Sequence, residues 1–127
     1  MMHRPESPQG GVEFDLPSLE REVRQEPAYD QNGHAARTLI RLADLRVVLL
    51  VMRAGSHIAE HEAYETATVH VLSGELRLGL AERAVDLRAG HLFTVPARMR
   101  HDVRALTDNA FLLTLGWPGE GSKASLQ

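Results

Sequence analysis

The chain contains no cysteine, which excludes disulfides, thiolate metal sites and a cysteine nucleophile. It also lacks a run of the about eighteen uncharged apolar residues needed to cross a bilayer. The first fifteen residues are polar, with Pro5, Pro8 and the Gly10-Gly11 pair, and hold no apolar stretch like that of a secretory signal. The expectation is a cytoplasmic protein with no membrane partner. Positive charge is not in excess: the formal net charge is −3, so no overall basic field exists to attract nucleic acid. The glycine-rich fingerprints of dinucleotide and P-loop nucleotide binding are absent. Serines such as Ser56 and Ser73 do not by their presence define a catalytic triad.

What remains fits one domain, since 127 residues can bury roughly two-thirds of their unfolded surface without metals or disulfides. Residues 1–15 read as a flexible segment. Asp15-Leu16-Pro17-Ser18 then opens a helix, with Asp15 as the cap and Pro17 tolerated in the first turn. Leu16, Leu19 and Val23 follow at helical spacing, and Pro27 with Asp30-Gln31-Asn32-Gly33 predicts a loop that completes a 16–34 unit.

From residue 35 to 116 the period changes to that of strands. Leu76, Leu78 and Leu80 alternate with Glu75, Arg77 and Gly79, so one face of that strand is core. Phe111, Leu113 and Leu115 repeat the alternation, whereas Val47 to Met52 is apolar on both faces, as for a strand covered by a second sheet or a subunit partner. Further strands are predicted near 37–42, 66–72, 84–87, 92–95 and 102–106. Many short strands and one helix predict an all-β sandwich or barrel. Gly116-Trp117-Pro118-Gly119 ends the sheet, and residues 117–127 form a C-terminal tail that reads as disordered from Glu120 to Gln127.

Two glycine-anchored, histidine-bearing segments lie within this run. The first has Gly55, His61 and Gly74; the second has Gly90, Pro96 and His101. At these spacings the chain resembles the cupin superfamily, small double-stranded β-helix barrels of jelly-roll arrangement, over most of its length. The resemblance implies that the barrel brings His61 and His101 together in a pocket. It also shows departures: Ala63 stands at the motif's second histidine, Ala67 at its glutamate, Arg98 at its turn glycine and Ala105 at its final asparagine.

Three or four nitrogen or oxygen ligands usually hold a hard or borderline divalent ion. Position by position, the resemblance supplies only His61 and His101. His57 is the obvious third ligand, but in an extended segment it would lie about 13 Å from His61, so the chain must fold back between them. Glu60, Glu62 and Glu65 are alternative oxygen donors. His70 is a candidate for contact with substrate, although parity with position 67 turns it away from the barrel interior. Tyr64 at the rim is a second such candidate. Arg98, in the turn at the mouth, suits an anionic ligand, because a guanidinium fork grips a carboxylate or phosphate bidentately.

Two readings follow. In one, His61, His101 and His57 hold a divalent metal (Mn, Fe, Ni, Cu or Zn) beside a small organic substrate; by resemblance such barrels act as oxygenases, isomerases or decarboxylases. In the other, a metal-free barrel binds a small molecule or serves as a sensor. Cupins commonly pair through their sheets, and a homodimer would cover the doubly apolar strand 47–52.

Overall fold

The structure, a computed structural model, describes residues 10–61 and 63–116, with His61 entering only as a backbone position. The expected tail 117–127, most of the N-terminal segment and Glu62 lie outside the described residues. Two helices, α1 (Leu16–Arg24) and α2 (Pro27–Asn32), precede nine strands. These are β1 (His34–Arg41), β2 (Leu45–Met52), β3 (His57–His61), β4 (Ala67–Ser73), β5 (Glu75–Leu80), β6 (Ala84–Arg88), β7 (Leu92–Val95), β8 (His101–Ala105) and β9 (Asn109–Gly116).

Helix α1 starts as its sequence dictates. The Asp15 carboxylate accepts from the Ser18 backbone N–H at 3.2 Å and from the Ser18 hydroxyl at 3.0 Å. The segment read as a loop after it is instead a second short helix. Pro27 presets the helical φ at its first turn, and Gly33 in the left-handed conformation stops it, donating its N–H to Tyr29 O at 2.9 Å.

The strands form two antiparallel sheets, ordered β1-β2-β9-β4-β7 and β3-β8-β5-β6. Their facing sides fill the barrel with Met52, Val69, Val71, Leu76, Leu78, Leu87, Val103 and Phe111, all buried. The opposite face of the five-stranded sheet carries a second core, in which Val23 and Tyr29 of the helices meet Ala35, Leu49, Val51 and Ala110. The doubly apolar strand β2 is therefore covered on its outer side by helices of the same chain, so its composition does not require a subunit partner. Polar pins fix this cover: Arg37 bonds Glu26 at 2.6 Å and Glu22 at 2.9 Å, and the Ser73 hydroxyl bonds Glu20 at 2.8 Å. Among the described residues no helix is long and apolar enough to cross a membrane.

The barrel's two ends differ. At one, the turns are knit by hydrogen bonds from Gly55 N to Ala105 O (2.9 Å), Ala54 N to Asp108 Oδ1 (2.8 Å) and Ala89 N to Gly74 O (3.1 Å). At the other, β8 begins with His101, and the loops after β3 and β7 form the mouth.

Candidate functional site at the barrel mouth

Alternation along β8 decides what enters the barrel. His101, Val103 and Ala105 are buried, while Asp102 and Arg104 face the other way. His101 is only 8% exposed, and its Nδ1 lies 2.9 Å from Met99 O. A carbonyl can only accept, so Nδ1 carries the proton, and in the neutral imidazole the lone pair is on Nε2. The backbone neighbours of His101 are Leu80 on β5 and His61 on β3. Ala67, buried and inward, pairs with Val95 and Leu115 across the five-stranded sheet. Leu80 and Met99, partly buried, pack against the core to which inward Val103 of the same strand belongs.

His57 goes elsewhere, and the cause is a β-bulge. Its register partner is the outward residue Arg104, Ile58 pairs with inward Val103, and an irregularity before His61 restarts the ladder opposite inward His101. Residues four apart on a regular strand share a face, but the extra residue changes the phase between these two. Accordingly His57 Nε2 bonds Asp102 Oδ2 at 2.7 Å on the outer side of the four-stranded sheet. Gly79, paired with Asp102 on β5, leaves room for that carboxylate. The structure does not bring His57 together with His101.

His70 also faces outward. Val69 and Val71 point inward and are buried, whereas His70 is exposed between Leu112 and Leu92. As a substrate contact inside the barrel it is misplaced, for the parity reason visible in the sequence. Arg104 shares the outward face of Asp102, and Arg100 bonds Glu60 at 3.3 Å.

Arg98 and Tyr64 do meet, at the rim. The Arg98 N–H donates to Ala63 O at 2.7 Å, joining the two mouth loops. The guanidinium carbon lies 5.1 Å from the centroid of the Tyr64 ring, a cation–π contact, and the tyrosine is 73% exposed. Arg98 adopts φ 68°, the left-handed region that a motif glycine would enter freely.

The donor set can now be compared with the needs of a metal. Among the described residues no group of three or more His, Asp or Glu side chains converges as a metal site requires. Ala63 and Ala67 offer no lone pair, and His57 is engaged on the outer face. Of the expected ligands, His101 faces inward and His57 outward, while the His61 side chain and Glu62 lie outside the described residues.

Comparison with known proteins agrees with the barrel. The family described as cupin domain matches residues 48–115, more than half of the chain. This chain belongs to the cupin family. No curated protein matches it. Among solved structures, it is similar to a conserved Streptococcus pyogenes protein of unknown function, at 24% identity and a TM-score of 0.65 over 71% of this chain and 79% of that one. It is also similar to KdgF from Halomonas sp., at 20% identity and a TM-score of 0.61 over 66% and 78%. A third similar structure is salicylate 1,2-dioxygenase from Pseudoaminobacter salicylatoxidans in complex with gentisate, at 16% identity and a TM-score of 0.72. That match covers 89% of this chain but 34% of the dioxygenase. At these identities the similarity is one of fold.

Proposed function

We propose that this cupin binds a small organic molecule at the His101 end of its barrel without a metal held by the protein. The observation that carries this is the loss of donors around a retained imidazole: Ala63 and Ala67 replace the motif's histidine and glutamate, and His57 bonds Asp102 on the outer face. A mainly apolar lining with one oriented polar group is the usual chemistry of a small-molecule site. His101 serves as that group, its ring oriented through Nδ1 by Met99 O.

One observation favours the metal reading: His61 is the backbone partner of His101, as in a two-histidine platform. A single experiment separates the two. Untagged protein, purified without chelators and compared with His101→Ala, is assayed for bound metal and for melting against a library of small organic molecules after chelator treatment. We expect far less than one metal per chain, and ligand-dependent stabilisation that His101→Ala weakens. About one metal ion per chain in the parent, lost in the variant, overturns the proposal in favour of metal-dependent chemistry.

A further inference from the structure

Resting on that reading, we infer that Arg98 is a carboxylate hook at the barrel mouth and that the ligand is a small organic acid. Its carboxylate takes the guanidinium fork while its body points toward His101.

The first support is the backbone. Arg98 is the one non-glycine residue with positive φ among the described residues, at 68°. A side chain rarely persists there unless the surroundings over-determine the conformation, and such residues gather at sites of function. Here the turn is held from several directions: Arg98 N to Ala63 O at 2.7 Å, Met99 N to Pro96 O at 3.2 Å, and the His101 ring to Met99 O at 2.9 Å. The turn that presents Arg98 at the rim is thus the same turn that orients His101 inside.

The second support is what the guanidinium does. Arg24, Arg37, Arg77 and Arg100 each bond a carboxylate of this chain, with N···O distances from 2.6 to 3.3 Å. No ion pair joins Arg98 to a carboxylate among the described residues; its side chain rests over Tyr64. A cation–π contact uses the charge and leaves the five N–H donors for an acceptor. A planar fork matches a planar carboxylate through two parallel hydrogen bonds. The ring of Tyr64, largely exposed, flanks the position where the acid would sit.

The test uses the full chain and four probes of matched size or charge: benzoate, its neutral analogue benzamide, acetate and inorganic phosphate. Binding is measured by titration calorimetry at millimolar concentration for the parent, Arg98→Gly and Arg98→Lys. Removing a charged hydrogen-bonding partner predicts that the parent prefers benzoate to benzamide by about tenfold or more. Arg98→Gly erases that preference without lowering the melting temperature much, and Arg98→Lys restores only part of it. Equal binding of benzoate and benzamide in all three proteins overturns the hook and leaves the barrel-binding reading standing. Preference for phosphate overturns the carboxylate assignment. Failure of all four probes to bind any of the proteins overturns the hook together with the reading on which it rests.

Discussion

Positions 74 and 98 have nearly the same backbone conformation, φ 71° and 68°, yet one is glycine and the other arginine. Their surroundings explain the difference. A Cβ at Gly74 would overlap the carbonyl oxygen of Asp108 and come within 2.8 Å of Asn109 Cα, so backbone packs directly on backbone at the knitted end of the barrel. At the mouth, the side chain of Arg98 is exposed and has space to leave the turn over Tyr64. Both positions correspond to glycines of the cupin motifs, but for different reasons. At 74 the requirement is steric and conformational together; at 98 it is conformational alone, and a non-glycine residue can meet it. One end packs backbone on backbone at this turn, while the other leaves its turn room for a side chain.

The strongest way to break this comparison is Gly74→Ala. The left-handed conformation costs an L-residue about 1–2 kcal/mol, and forcing a methyl group against packed backbone adds roughly 1–3 kcal/mol. Urea denaturation should show a loss of about 3 kcal/mol or more with an unchanged slope. A midpoint within error of the parent would mean that the β4–β5 turn and the Asp108 turn separate freely.

Gly79→Ala tests a milder case, since what its Cβ would overlap is the end of a side chain, Asp102 Oδ1, with Asp102 Cγ at 3.1 Å. The carboxylate can rotate away at the loss of its bond to His57, while alanine recovers some of the strand propensity that glycine lacks. The net cost is expected to be about 1 kcal/mol or less. It should vanish on an Asp102→Ala background, because removing the carboxylate removes the conflict; a double-mutant cycle measures this coupling. A cycle with no coupling would show that glycine at 79 answers to something other than Asp102.

The fold was legible because its signals are local and periodic. Leu76-Leu78-Leu80 fixed the inward face of β5, Asp15 and Pro17 marked the start of α1, and the spacing of Gly55, Gly74 and Gly90 carried the resemblance to cupins. Strand β3 was not legible: Gly-Ser-His-Ile-Ala-Glu-His has one large apolar residue, as suits an edge strand interrupted by a bulge. The bulge itself has no residue signature, and it alone decides that His57 and His61 differ in register phase. Parity did place His70 outward correctly, since β4 is regular from Ala67 through Val71. The cover on β2 could not be assigned from composition, because an apolar face is equally satisfied by a helix of the same chain or by a partner. The cation–π contact of Arg98 with Tyr64 joins residues on separate loops, and only tertiary structure shows it.

The smallest expected effect is also the one that most sharpens the contrast between the two positions. Arg98→Gly relieves a left-handed side chain, worth about 1–2 kcal/mol, but gives up a cation–π contact of about 0.5–1 kcal/mol. It also loosens the unfolded chain by roughly 0.5–1 kcal/mol. The three nearly cancel, so the variant should unfold within about 1 kcal/mol of the parent. Arg98→Ala loses the same contact and keeps the strained φ, so it should fall below Arg98→Gly by about 1 kcal/mol. The informative quantity is this preference for glycine over alanine at each site: about 1 kcal/mol at 98, where only φ is at stake, against about 3 kcal/mol or more at 74, where backbone overlap is added. Paired chemical denaturation of Arg98→Gly, Arg98→Ala and Gly74→Ala with the parent measures both preferences. Equal values would place the two glycine positions under the same constraint, and the freedom of the mouth to carry an arginine would then need another cause.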